Sequence, residues 1–153
     1  MRVLEHRIPP PLVFAIIAGG MWAVALVAPA IPIDNTLRLV IAGALFLLGS
    51  AFAPPAIVAF RRAKTTLDPV NIDAASTLVT GGVFGFSRNP MYVGLAALLA
   101  SWAAYLAVPW TLLGPIVFVL FITRFQIIPE ERAMHAKFGA AYRDYQMRVR
   151  QWL

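Results

Sequence analysis

Apolar residues in this chain come in long uncharged blocks, with neither the alternation of a half-buried strand nor the one-sided periodicity of a soluble helix. Residues 11–28 and 91–107 carry no charge, 37–60 carry Arg38 alone, and 110–127 carry Arg124 alone. Each block matches the length a helix needs to cross a bilayer. The pattern therefore predicts an all-α integral membrane protein of one domain, residues 1–153, with four transmembrane helices. A second apolar block follows the first within a few residues, which fits a retained span better than a cleaved signal peptide. Between those two lies a turn rich in helix breakers, Pro29 to Asn35. Pro54-Pro55 should kink the second span or end it early. The segment from Thr65 to Phe86 is too polar to span. The third and fourth blocks form a hairpin turning near Val108-Pro109, with Trp102, Tyr105 and Trp110 placed for an interfacial aromatic belt.

Composition strengthens the membrane reading. Sixty per cent of residues are apolar, 13% are charged, and mean hydropathy is +0.75, against about 25% charged in soluble domains. Cysteine is absent, which excludes disulfides and thiolate chemistry, and His6 and His135 stand too far apart to suggest a metal site. A net charge of +6 raises the question of nucleic acid. The placement of the charges answers it: twelve of the 13 Lys and Arg residues fall on the face shared by the termini and the central loop, and only Arg38 falls on the other. Cationic residues are retained in the cytoplasm, so both termini and the loop should be cytoplasmic, in a multi-pass protein of the inner membrane. Such residues beside spans anchor to anionic headgroups, and no nucleic-acid partner is implied.

From Pro129 onward the pattern changes. Met134, Phe138, Ala141, Tyr142, Tyr145, Val149 and Trp152 recur at steps of three or four, with Arg132, Lys137, Arg143, Asp144 and Arg148 mainly between them. This predicts an amphipathic helix on the cytoplasmic membrane surface. Pro129 suits its first turn, and Glu130 and Glu131 suit its positive end. Taken alone, those carboxylates either complement the helix dipole or serve a site.

Four short motifs favour a site. Leu78-Val79-Thr80-Gly81-Gly82-Val83-Phe84, Arg88-Asn89-Pro90-Met91-Tyr92-Val93-Gly94, Glu130-Glu131, and Phe138-Gly139-Ala140-Ala141-Tyr142-Arg143-Asp144-Tyr145 occur in this order, with the hairpin between the second and third. Together they resemble the isoprenylcysteine carboxyl methyltransferase and phospholipid methyltransferase superfamily over roughly residues 65–153. The resemblance implies an integral-membrane methyltransferase that uses S-adenosylmethionine, with cofactor motifs at 76–94 and 129–145. It implies cofactor contacts at Leu78, Val79, Phe84, Asn89, Tyr92 and Glu130, to which the motif adds Arg88 and Pro90. Phe84 stands where tyrosine is frequent, Asn89 where eukaryotic members carry histidine, and Gln126 where many members carry an arginine thought to face the methyl acceptor. Arg124, Gln126 and Glu131 are the candidates for the catalytic side.

The residues are chemically suited to that cosubstrate, which brings a sulfonium, an ammonium and a carboxylate. Glu130 or Glu131 can meet the cationic end, the rings of Phe84 and Tyr92 the sulfonium, and Arg88 with the amides of Gly81 to Gly85 the carboxylate. No Gly-x-Gly-x-x-Gly pattern is present, which argues against a soluble dinucleotide-type fold. Arg88 is alternatively a headgroup anchor, Tyr92 an interfacial anchor, and Arg124 a snorkelling cation. The acceptor should be a membrane lipid or an amphiphilic small molecule, its nucleophile being carboxylate, amine, thiol or hydroxyl. A noncatalytic membrane subunit that keeps the fold, or a small transporter, would show the same spans without cofactor binding.

Overall fold

The computed structural model describes residues 8–62 and 78–153, with 60–62 described by backbone alone. The basic lead 1–7, with its His6, and Lys64 with the first part of the central loop, including Ser76 and Thr77, lie outside the described residues. Among the described residues every regular element is helical: α1 Pro10–Val27, α2 Asn35–Arg62, α3 Pro90–Leu106, α4 Leu113–Ile122 and α5 Ile128–Arg148. Short 3-10 turns occupy Gly82–Gly85 and Pro109–Leu112, and a π-turn occupies Thr123–Ile127.

Local chemistry explains where these helices begin and end. Prolines open α1 and α3, where a missing N–H leaves no intrahelical bond unmade. Asp34 caps α2, its Oδ1 accepting the Leu37 N–H at 3.0 Å. α3 stops where Ala107 turns left-handed at φ 54°, and the Ala107 carbonyl accepts the Ile31 N–H of the α1–α2 loop at 2.8 Å.

Three helical runs are long and apolar enough to cross a membrane: Pro10–Val27, Asn35–Ala59, and the continuous stretch Pro109–Arg148 that joins α4, the π-turn and α5. This is a membrane protein. Large apolar side chains such as Ile16, Leu26, Leu47 and Leu120 are more than 60% exposed on α1, α2 and α4, as lipid-facing residues are. α3 is a shorter apolar helix, of 17 residues.

α3 sits at the centre and packs on α1, α2 and α4. Its small residues allow close approach: a Cβ on Gly94 would stand 2.7 Å from Ala53 Cβ and 2.9 Å from the Gly49 carbonyl oxygen of α2. Two side-chain bonds tie α3 to its neighbours without disturbing their helices. Ser101 Oγ donates to the Ala42 carbonyl of α2 at 2.7 Å, and Trp102 Nε1 to the Ala18 carbonyl of α1 at 3.2 Å. Leu99, Phe118 and Ile122 fill the space between, each fully buried.

Of the two expectations at Pro54-Pro55, a kink or an early end, the early end does not occur. α2 runs on through Pro54 and Pro55 to Arg62. Apolar surroundings give a helix no competing solvent for its backbone bonds, so the bonds lost at two prolines do not end it. Pro129 lies in the first turn of α5, as expected, and the chain passes from α4 into α5 through the π-turn with no intervening loop. The apolar part of that run ends at Ile128, and α5 beyond it carries the charged residues.

Gly94→Ala should force α2 and α3 apart and cost about 1–3 kcal/mol. Gly43→Ala, whose added Cβ meets nothing within 4 Å, serves as the matched control. Thermal melts of the protein in detergent should show a lower midpoint for the first substitution and none for the second; equal midpoints would refute the tight α2–α3 contact.

Candidate active site

The polar groups of the chain gather where the 3-10 turn Gly82–Gly85, the segment Ser87-Arg88-Asn89, the start of α3 and the first turns of α5 meet. Gly82 has φ 62°, a left-handed conformation suited to glycine, and opens the turn that buries Phe84 to 5% exposure. Tyr145 of α5 holds that turn from below, donating to the Phe84 carbonyl at 2.7 Å. Burial, partly offset by the charge of Arg88, pushes the Tyr145 phenol up to about 12, so it remains a donor. Tyr142 is raised further by burial and by the charge of Glu131. Both tyrosines reach this surface because α5 turns sharply at Gly139, where φ is 51° and ψ is −118°.

Arg88 is the centre of the polar cluster. Its Nη2 and Nε donate to Glu131 Oε1 at 2.6 and 3.1 Å, and its Nη1 donates to the carbonyls of Val149 at 2.6 Å and Gln146 at 3.4 Å. Its main-chain N–H donates to the Arg150 carbonyl at 2.9 Å. Asn89 follows the same course: its Nδ2 donates to the Gln151 carbonyl at 2.9 Å instead of its side chain capping α3. Ser87, fully buried, accepts the Asn89 N–H at 3.0 Å and donates to the Gln151 carbonyl at 3.4 Å. The last five residues are thus strapped across the motif. Sequence reasoning missed this strap because its bonds are to main-chain carbonyls, which no residue type announces.

Glu130 and Glu131 are separated by this arrangement. Glu131 faces Arg88, whereas Glu130 Oε1 accepts the hydroxyl of Tyr92 at 2.6 Å. Burial pushes the Glu130 carboxyl up from 4.5 to about 7, with the Tyr92 bond opposing the rise and the charge of Glu131 adding to it. Pro90 starts α3 and aims Tyr92, which is 4% exposed, toward this carboxyl. Leu78 and Val79 are half-buried at the entry to the 3-10 turn.

The π-turn holds the remaining candidates. Arg124 is exposed, its guanidinium 5.6 Å from the Phe125 ring centroid. Gln126 is 1% exposed and donates through Nε2 to the Ile8 carbonyl at 2.8 Å. Trp152, at the end of the strap, donates through Nε1 to Thr123 Oγ1 at 3.2 Å. The structure therefore brings Phe84, Arg88, Asn89, Pro90, Tyr92, Glu130 and Glu131 into one cluster, with Gln126 one turn before Glu130 on the same helical run. The outward Arg124 is set apart from them.

A bundle of lipid-facing helices with a half-buried acid and a polar cluster at one end defines a membrane-embedded protein. The family model of phospholipid methyltransferases matches residues 37–141, and the chain belongs to this family of membrane methyltransferases, within the superfamily that includes the isoprenylcysteine carboxyl methyltransferases. The match takes in α2, α3, α4 and α5 as far as Ala141. An uncharacterized protein of Haemophilus influenzae is similar, 43% identical over 63 residues, which is 41% of this chain and 100% of that protein.

Two outcomes follow from the site geometry. Arg88→Ala should free the strap, since three acceptor groups lose their donor at once, and Arg88→Lys should rescue it only in part because a point charge cannot serve them together. Hydrogen exchange at residues 149–153 should rise in both; unchanged protection would show that the strap is held by something else. The second concerns Glu130. Its carboxyl ionises near 7 when folded and near 4.5 when exposed, so the folded chain holds the extra proton and loses stability as pH rises through that window. Glu130→Gln should flatten this decline, which amounts to about 3 kcal/mol at most. Melting midpoints followed from about pH 5 to about pH 8 read it directly; parallel curves for the two proteins would rule it out.

Proposed function

We propose that this chain is an S-adenosylmethionine-dependent methyltransferase that acts on the polar head of a lipid or other membrane amphiphile. The observation that carries the reading is the part-buried Glu130–Tyr92 pair at the end of the helical hairpin, in a chain of this family. The proposed topology has four crossings, with α3 as the short third span and α5 lying at the cytoplasmic face beside both termini, in the inner membrane. The 17 residues of α3 match the lower limit for a crossing, and the Lys and Arg distribution supports the orientation. The domain is single, spanning residues 1–153.

The residues present suit the cosubstrate at its cationic end. An acid enclosed in apolar surroundings and bonded to one hydroxyl gains most from a cation placed beside it. Glu130 and Tyr92 would hold that end, and Phe84, Leu78 and Val79 would line the apolar part. S-adenosylmethionine supplies a methyl group already activated on sulfur. Arg88, with its donors engaged by Glu131 and the strap, is a positioning residue rather than a carboxylate clamp, and Asn89 shares that role. Pro90 sets the direction of Tyr92. Glu131, neutralised by Arg88, holds α5 against the motif. The carboxylate of the cosubstrate would then face main-chain amides near Gly81 and Gly82, where a Cβ would meet nothing within 4 Å. Arg124 and Gln126 would lie on the acceptor side, and the packed hairpin would exclude water from the reacting centre.

Calorimetric titration with S-adenosylhomocysteine, which needs no acceptor, tests this reading in protein held in lipid nanodiscs. Saturable binding is expected, strengthening as the Glu130 carboxylate forms between about pH 6 and about pH 8. Glu130→Gln should weaken it about tenfold and remove the pH dependence, and Tyr92→Phe should weaken it less. Folded protein that binds nothing would point to a noncatalytic membrane subunit.

A further inference from the structure

At the end of the bundle where α1 and α3 finish and α2 begins, Arg38 is the one cation among the described residues. It is half-buried, and Leu37 and Leu39 on either side of it in the chain are exposed, as lipid-facing residues are. Among the described residues no acid forms an ion pair with it. Asp34, one turn earlier, uses its Oδ1 to accept the Leu37 N–H at 3.0 Å. The Arg38 Nη2 donates to Asn35 Oδ1 at 2.7 Å, whereas its Nε is buried and meets no acceptor. A charge set against apolar spans without a counter-charge is costly and calls for a partner.

The guanidinium is nonetheless held in place. It lies 5.5 Å from the centroid of the Tyr105 ring of α3. Trp102 stacks on Tyr105 with centroids 5.5 Å apart and planes 12° from parallel, and Trp102 is itself fixed by its Nε1 bond to the Ala18 carbonyl of α1 at 3.2 Å. Contacts through three helices therefore orient Arg38. An arginine fixed in this way has already given up its rotamer freedom and presents a planar fork suited to phosphate. Tyr105 is 47% exposed, and Trp110 on the adjoining 3-10 turn is 65% exposed, as aromatic residues at headgroup level are. Tyr105 stands 13 residues beyond Tyr92 on the same helix, a rise of about 20 Å. The two ends of α3 thus address opposite leaflets.

We propose that Arg38 is the core of a binding site for the phosphodiester of an anionic phospholipid in the leaflet opposite the candidate active site. The guanidinium donors not used by Asn35 meet the phosphate oxygens, and the tails lie along the exposed side chains of Leu37 and Leu39. That apolar surround is what selects a lipid over a free phosphate. A head with one net negative charge neutralises Arg38, whereas a zwitterionic head brings a second cation beside the guanidinium. A lipid held here is a whole span away from Glu130 and is not a methyl acceptor. The inference therefore goes beyond the methyltransferase reading and does not depend on it.

Native mass spectrometry of the detergent-held protein counts bound lipids directly, with phosphatidylglycerol and phosphatidylcholine of identical tails as the two probes. Glycerophosphoglycerol, the same phosphodiester without tails, is the third. The unaltered protein should bind its first phosphatidylglycerol about tenfold more tightly than phosphatidylcholine, the size of one hydrogen bond to a charged group, and glycerophosphoglycerol should not bind. Arg38→Gln, which keeps a donor for Asn35, should remove that preference. Arg38→Lys should restore only part of it, because an ammonium lacks the fork. Arg148→Gln removes an exposed cation at the other end and should leave the tightly held lipid in place. Equal affinity for the two lipids, or a preference for phosphatidylcholine, overturns the proposal. So does an equal loss in Arg38→Gln and Arg148→Gln, or full recovery in Arg38→Lys, since either would mean attraction by charge alone. Saturable binding of glycerophosphoglycerol would make this a site for soluble phosphates and overturn the lipid assignment. If Arg38→Gln does not fold, Tyr105→Leu, which removes the ring beside the guanidinium, should weaken phosphatidylglycerol binding in its place, and an unchanged affinity there counts against the site.

Discussion

One guanidinium holds the polar end of this molecule together. Arg88 bridges the start of α3, the first turn of α5 and the last five residues. Its pairing with Glu131 leaves Glu130 to face Tyr92, so two neighbouring acids acquire different characters: one remains a charged structural partner, the other titrates near 7. Breaking a partly buried pair of this kind strands both charge and carbonyls, which is why a single substitution is felt across all three segments.

The helical segments were largely legible from hydropathy. Blocks 11–28, 37–60 and 91–107 coincide within two residues at each end with α1, α2 and α3, because long uncharged runs have few structural alternatives in lipid. The departure lies at two prolines. Pro54 and Pro55 read as a kink or an early end of the second span, yet α2 runs on past them. In water a proline ends a helix when solvent competes for the freed carbonyls, and that competition is absent in an apolar bundle.

The site was legible as a set of residues and much less so as a set of roles. The motifs located Arg88, Asn89, Tyr92, Glu130 and Glu131, and the structure brings them together. The partition among them was hidden, since sequence alone does not tell which of two adjacent acids meets which partner. The last motif bends sharply at Gly139, ahead of Tyr142 and Tyr145, and the Tyr145 phenol bonds the Phe84 turn. The π-turn left no trace in composition, being a matter of helical register.

Because α4, the π-turn and α5 form one helical run as far as the bend at Gly139, residues along that part have fixed heights relative to one another. Gln126 and Glu130 are separated by about 6 Å of rise, whatever lipid surrounds the spans. In the proposed reading the bundle would work as a depth gauge, selecting molecules by how far below the headgroup plane they present their reactive atom. A thicker or thinner bilayer would shift this gauge bodily against the lipid, so membrane thickness becomes a variable that tunes which heads come within reach.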